Sequence, residues 1–273
     1  MIANPVRSRL LAGAESLGVM AFEFFTPGLA PVLAAAGADF VLLDCEHSGL
    51  GIEGVKAQCA FAKGAGIVPM VRIPWGMAHL IPPFLDAGAL GIMMPLVESA
   101  EQAESLVAAC RYRPLGKRGL GFSVAHDHYT GGPVLQKMRA ANDAVLTVAL
   151  IESAKGVEQC KEIAAVPGLD MLWLGHFDLS DSLGMPGSFE DPSYLAAASR
   201  LRSAARAQGK PIGWVAADAE QACAALRAGF RCVCIGHEVV VLREALGSAF
   251  ARARQVVPLL DALPVDPGRG GLP

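Results

Sequence analysis

The chain has 273 residues, 53% of them hydrophobic and 18% charged, with a mean hydropathy of +0.40. Its 23 basic and 26 acidic residues leave a formal net charge of −3. This excludes a disordered chain or a coiled coil, and no basic run exceeds two residues, so no nucleic-acid groove is expected.

The longest uncharged stretch, Phe24–Ala38, contains Pro27 and Pro31 and falls short of the roughly 20 apolar residues of a spanning helix. Met1–Leu11 carries Arg7 and Arg9 without a long apolar segment, so no secretory signal is expected. The seven cysteines are scattered and form no CxxC. They read as small apolar residues of a reduced, cytoplasmic chain. Cys232 and Cys234 share one face of a predicted strand.

Parallel strands buried on both faces read as continuous apolar runs. Such runs occur at Val19–Phe25, Phe40–Asp44, Ile67–Ile73, Leu90–Met94, Val145–Ile151, Met171–Leu174, Ile212–Val215 and Cys232–Ile235. Ala-rich helical segments lie between them, near 29–37, 51–64, 77–87, 99–110, 153–165, 191–208, 218–228 and 238–253. Ser99 with Gln102 has capping-box spacing, Asp218 precedes a helix, and Gly64, Gly209 and Gly229 mark stops. Eight strands alternating with helices predict an α/β fold, the (β/α)8 TIM barrel, over a doubly wound open sheet. Before the fifth strand, Arg111–Gly132 and a further helix at 133–144 form a long loop-plus-helix insertion. Long loops are usually functional, so the insertion is expected to be an active-site loop over the barrel mouth. One domain is expected over 1–260, and an irregular, Pro/Gly-rich C-terminal tail over 261–273.

Barrel chemistry sits at the C-terminal ends of the strands, and polar residues follow the apolar runs there. The second run ends Asp44-Cys45-Glu46-His47, the third at Arg72 and the fifth at Glu152. The sixth ends Gly175-His176-Phe177-Asp178, and the eighth Gly236-His237-Glu238. Glu152 and Asp178, on adjacent strands, could share a hard divalent cation and leave positions for water and a chelating substrate. Glu152 could instead pair with Arg72, and Asp178 could be an N-cap or turn residue. Arg72 could bind a carboxylate or enolate oxygen, or pair with Asp44 or Glu46. Asp44 or Glu46 could orient His47 as a base, or His47 could be a satisfied loop histidine. His126-x-His128 could bind a metal, but loop histidines are common. Gly175 could let a substrate approach backbone amides at the next helix start.

These segments, in this order, resemble the HpcH/HpaI aldolase family of metal-dependent pyruvate aldolases. The resemblance rests on Leu42-Leu43-Asp44-Cys45-Glu46-His47, Val71-Arg72-Ile73-Pro74, Leu85-Asp86-Ala87-Gly88-Ala89 and Gly91-Ile92-Met93-Met94-Pro95. It continues through Tyr112-Arg113-Pro114-Leu115-Gly116, Ile151-Glu152, Gly175-His176-Phe177-Asp178-Leu179-Ser180 and Leu183-Gly184. It implies a class II aldolase joining pyruvate, or a related 2-oxo acid such as hydroxypyruvate, to an aldehyde. It further implies Glu152 and Asp178 as ligands of a divalent cation (Mg, Mn or Co) and Arg72 beside the pyruvate oxygens. His47 would be the catalytic histidine, with Asp44 its nearby acid. The backbone beside Gly175 would receive the substrate carboxylate, with His176 and Phe177 lining the subsite. Homo-oligomers are implied, typically a hexamer built as a trimer of dimers with the last helix exchanged.

The chain departs from the family at Leu150, where Gln is common, at His176 in place of Pro, and at Cys45 in place of Gly. Near the first strand it offers Phe22 and Glu23 where a Trp is frequent. Glu23 is expected to be an inward or rim acid that disfavours acidic aldehydes. Two alternatives are a citrate-lyase-β-like acyl-CoA lyase, with Arg111, Arg113, Lys117 and Arg118 as a nucleotide patch, and a non-catalytic barrel for assembly or regulation.

Overall fold

The computed structural model describes residues 3–255. The predicted tail at 261–273 lies outside them. Eight parallel strands close into a barrel in sequence order. They are β1 Ser16–Ala21, β2 Phe40–Asp44, β3 Val68–Arg72, β4 Gly91–Met94, β5 Leu146–Ile151, β6 Met171–Leu174, β7 Ile212–Ala216 and β8 Cys232–His237. The helices are α1 Pro5–Leu11, α2 Leu29–Ala35, α3 Ile52–Ala65, α4 Ile81–Asp86, α5 Ala100–Cys110 and α6 Val134–Ala144. They continue with α7 Ala154–Glu158, α8 Cys160–Ala165, α9 His176–Ser182, α10 Pro192–Ala207, α11 Ala219–Arg227 and α12 Glu238–Arg254. The predicted (β/α)8 barrel is therefore the observed fold. No helix among the described residues is long and apolar enough to cross a membrane.

Local signals explain most boundaries. Ser99 accepts from Gln102 N and Asp218 from Gln221 N, satisfying amides at the starts of α5 and α11. The Gln102 side chain reaches back to Glu98 N rather than to Ser99 N, so the capping box is displaced by one residue. The first strand starts three residues and ends four residues earlier than predicted, because Phe22–Phe25 have already turned into the following loop. Gly64 lies inside α3, and the stop is Gly66, in the left-handed conformation at φ +79°. The predicted helix at 153–165 is broken at Gln159 into α7 and α8. The short helix α1 lies outside the predicted helical segments, and α9 supplies the helix start expected beyond Gly175.

Alternation along the strands sorts the core into two shells. Phe40 and Leu42, Val68 and Met70, Leu146, Val148 and Leu150, Met171 and Trp173, and Cys232 and Cys234 fill the barrel interior. Their neighbours Val41, Leu43, Val71, Ala149, Ile151, Leu172 and Val233 face the helices. Glycine makes room for the largest interior ring, since a Cβ on Gly213 would lie 2.1 Å from the Trp173 ring. Underneath, α1 adds Val6 and Leu10 to the interior cluster, and Asn4 Nδ2 donates to Leu90 O and Ala144 O at 2.9 and 2.8 Å. Asp170 completes that floor, paired with Arg7 at 2.7 Å and with Arg111 at 2.8 Å.

The insertion before β5 does not cover the mouth. Arg111 donates to Asn142 O and Val145 O, and Arg118 pairs with Asp86 at 2.6 Å. These partners sit at the ends of α4 and α6 and at the start of β5, so the segment packs at the N-terminal end of its own barrel. The physical reason is topological: a helix-to-strand connection emerges at the floor, and only strand-to-helix connections emerge at the mouth.

Replacing Gly213 by Ala is expected to force the Trp173 ring out of the interior. The cost should be about 1–3 kcal/mol, the range for an overpacked core. Urea unfolding measures it, and an unchanged midpoint would mean the ring relocates freely.

Candidate active site

The inward parity that fills the barrel also aims the residues beyond it. Continuing each inward row by two residues reaches Phe22, Asp44, Arg72, Glu152 and Gly175. Strand register places Asp44 opposite Arg72. Arg72 is buried, and its Nε donates to Asp44 Oδ1 at 2.5 Å and lies 3.4 Å from Glu46 Oε2. Burial works against its charge. The hydrogen bond to Asp44 and the charges of Asp44, Glu46 and Glu152 outweigh it, so the guanidinium is held above its usual pKa. The alternative of an Arg72–Asp44/Glu46 ion pair is thus realised, and it leaves the terminal nitrogens without a hydrogen bond among the described residues.

Asp44 is fully buried, and its other oxygen accepts His47 N at 2.7 Å. It therefore shapes the loop carrying His47 and makes no hydrogen bond or ion pair to the imidazole among the described residues, so of the two acids expected as candidates to orient the ring, Asp44 is not the one beside it. The carboxylate nearest the ring is Glu46, with Oε2 3.9 Å from His47 Nε2. The His47 side chain is 60% exposed at the rim. Glu46, expected as a possible partner of both His47 and Arg72, stands near both. Burial raises its pKa, Asp44 and Asp178 add to that, and Arg72 and His47 oppose it.

Glu152 is buried, with Oε1 accepting Leu96 N at 2.8 Å. Burial first, then the nearby charges of Asp178 and Glu46, push its pKa up to about 7, against the Leu96 bond and Arg72. The expected alternative, a direct Glu152–Arg72 salt bridge, does not form. Asp178 is exposed in the first turn of α9 and is in no ion pair among the described residues. Gly175 has a use beyond the one expected. Its N–H is spent on Ile151 O at 3.0 Å, and a Cβ there would lie 2.6 Å from Glu152 Cβ and 2.7 Å from Glu152 Oε2. It makes room for the carboxylate. The start of α9 just beyond it has no side-chain cap, which leaves its first amides open to a ligand. Leu150 is buried below Glu152 and supplies no polar group.

His176 turns into an aromatic cluster with Phe177, Phe189 and Trp214 at centroid distances of 4.4, 5.2 and 5.7 Å. Burial pushes its pKa down to about 4. Phe177 is exposed. Glu23 is an exposed rim residue, and the buried acid nearby is Glu238, whose carboxylate accepts the backbone N–H groups of Phe22, Glu23 and Phe24. An acid in a helix's first turn was the available signal for Glu238, and inward parity was the signal for Phe22. His126 is spent on Gly121 O at 2.6 Å and lies at the floor with Arg118, so the His126/His128 pair gathers no site. The proposed nucleotide patch is also dispersed, since Arg111 and Arg118 are buried in ion pairs away from the mouth. A cavity of about 190 Å³ between Arg118, His126, Asp127 and Lys137 likewise lies beside the insertion.

A sequence model of the HpcH/HpaI aldolase/citrate lyase family matches residues 19–245. The chain belongs to that family. It is similar to the 2-keto-3-deoxy-L-rhamnonate aldolase of Salmonella gallinarum, at 32% identity over 94% of this chain and 95% of the relative. Among solved structures, an HpcH/HpaI aldolase from Desulfitobacterium hafniense aligns with TM-score 0.84 and 31% identity, covering 96% of this chain and 99% of that one. The citrate synthase SbnG aligns with TM-score 0.84 and 30% identity, covering 93% and 98%. The chain is accordingly a carbon–carbon lyase of the aldolase type.

His176 carries a pH signature. The unfolded chain binds a proton as pH falls through about 6.5, whereas the folded chain resists until about 4. Stability should therefore fall between those values, by up to about 3 kcal/mol, and level off below. His176→Phe should flatten this part of a denaturation-versus-pH curve, and an equal slope in both proteins would show that the ring is not the cause.

Proposed function

We propose that the chain is a class II aldolase that reversibly joins a 2-oxo acid, pyruvate or hydroxypyruvate, to an aldehyde, using a divalent cation held by Glu152 and Asp178. What supports this most is the meeting of Arg72 with two carboxylates that lack cationic partners at one barrel mouth.

The donor set fits a hard cation. Both groups are oxygen donors, Glu152 Oε2 has no hydrogen-bond partner among the described residues, and their mutual repulsion is what a cation would relieve. Mg, Mn or Co would suit such a site. When bound, the cation supplies Lewis-acid polarisation of the oxo acid's oxygens. Arg72 stabilises the negative charge that develops on the keto oxygen. The uncapped amides at the start of α9, His176 N and Phe177 N, receive the substrate carboxylate. In cleavage, His47 takes the proton from the C4 hydroxyl. The C3–C4 bond breaks, the aldehyde leaves, and the pyruvate enolate is protonated at C3. In synthesis, His47 removes a proton from the pyruvate methyl. Exposure of His47 at the rim suits proton exchange with solvent.

Proton NMR of pyruvate in deuterated buffer tests the reading without an aldehyde. Metal-stripped protein should leave the methyl signal intact, and adding Mg, Mn or Co should erase it. Glu152→Gln and Asp178→Asn should each slow the loss by on the order of a hundredfold or more while the protein stays folded. Exchange that persists after rigorous chelation would overturn the metal assignment.

The same reading includes a homo-oligomer, a hexamer as a trimer of dimers. In its favour, α12 buries only Glu238 and leaves Val241, Leu242, Leu246 and Phe250 exposed. Light scattering should give a multiple of the 28.4 kDa chain mass, lowered by Leu246→Glu with Phe250→Glu. A monomeric wild-type protein would refute it.

A further inference from the structure

The floor of the barrel carries a second charged feature, at the opposite end from Arg72 and Glu152. A cleft of about 730 Å³ opens where the chain leaves α1, α10 and α11. Left-handed glycines Gly13, Gly209 and Gly229, at φ +84°, +63° and +98°, turn the chain from these helices toward β1, β7 and β8. The last two turns bring Lys210 and Arg231 to the cleft, and α10 adds Arg202 and Arg206, one helical turn apart.

These cations differ from the others at the floor. Arg7, Arg9, Arg111 and Arg118 each pair with a carboxylate. Arg202, Arg206, Lys210 and Arg231 are in no ion pair among the described residues, and no Asp or Glu lines the cleft. Their partners are backbone carbonyls: Val166 O for Lys210 at 2.7 Å, Leu226 O and Phe230 O for Arg231 at 3.0 and 2.8 Å, and Ala228 O for Arg202 at 3.3 Å. Helix ends do not neutralise the cluster. Three C-termini at roughly −0.5 each set about −1.5 against four positive charges, which leaves an excess of about two. That excess stands in a chain whose net charge is −3.

Donors remain unspent. The Arg206 side chain makes no hydrogen bond among the described residues, and Arg202 Nε is buried with no acceptor. Like charges one turn apart on a helix repel. An anion in the cleft would relieve that repulsion and draw Arg202 into a satisfied arrangement. Guanidinium forks match phosphate oxygens. The excess charge matches a diphosphate better than a single carboxylate, and the volume is that of a small-molecule site.

We propose that this cleft binds the diphosphate group of a small molecule, free or carried by a nucleotide, at a site separate from the barrel mouth. The assignment stands independently of the aldolase reading.

Equilibrium dialysis of the full chain against labelled inorganic pyrophosphate and against labelled ADP tests it at low salt. Equal binding of the two would identify the diphosphate alone as the ligand, and tighter binding of ADP would identify a nucleotide. Arg206→Glu changes an exposed side chain with no protein partner, and circular dichroism should show it folded. It should weaken binding by about tenfold or more, the worth of one hydrogen bond to a charged group. Arg202→Gln should do the same, while Arg72→Gln and Glu152→Gln at the mouth should bind as the wild type does. Absence of binding to the wild-type chain at millimolar ligand would overturn the proposal. So would binding that is lost in Arg72→Gln or Glu152→Gln and unaffected by Arg206→Glu, because the anion would then sit at the mouth.

Discussion

A parallel sheet closed on itself is buried on both faces, and its side chains alternate strictly between interior and helix layer. Charge has no place inside such a barrel. It can appear only where an inward row runs past the last packed layer. Rows filled by Phe40 and Leu42, Val68 and Met70, and Leu146, Val148 and Leu150 therefore end at Asp44, Arg72 and Glu152. These residues are brought together by the same alternation that builds the core, and the site is a consequence of the packing.

The two ends of the barrel treat charge differently. At the floor, Asp170 is shared by Arg7 and Arg111, accepts from Thr147, and sits beside a helix anchored by Asn4. The charged side chains named there are paired with residues of other elements, as a stabilising end requires. At the mouth, Arg72 serves Asp44 and Glu46, while the charges of Glu152 and Asp178 oppose each other and neither is in an ion pair among the described residues. Such crowding opposes stability and is the mark of a candidate functional end. Gly175 belongs to the same arrangement, since any side chain there would displace the Glu152 carboxylate.

Glu238 links this site to the periphery. It is the single buried residue of α12, and it holds the backbone of the loop that carries Phe22. The exposed apolar face of α12 is thus connected through one carboxylate to the wall beside Arg72. The aromatic cluster around His176 plays a comparable part on the other side, packing α9 against Trp214 of β7.

The sequence by itself determined the architecture and most of the site. Continuous apolar runs at regular intervals require buried parallel strands, and polar residues immediately after them require a shared C-terminal face. Asp44, Arg72, Glu152 and Gly175 were legible for that reason. What tertiary structure decided were the partners. Asp44 turned out to hold the His47 backbone and Arg72 rather than the imidazole, Glu46 took the place beside the ring, and Glu238 captured three amides from a loop more than 210 residues away. The insertion before β5 was misplaced because its length and composition carry no sign of which barrel end it occupies; connectivity alone does. Side-chain pairing across distant strands depends on register and tilt, which one-dimensional patterns of polarity do not encode.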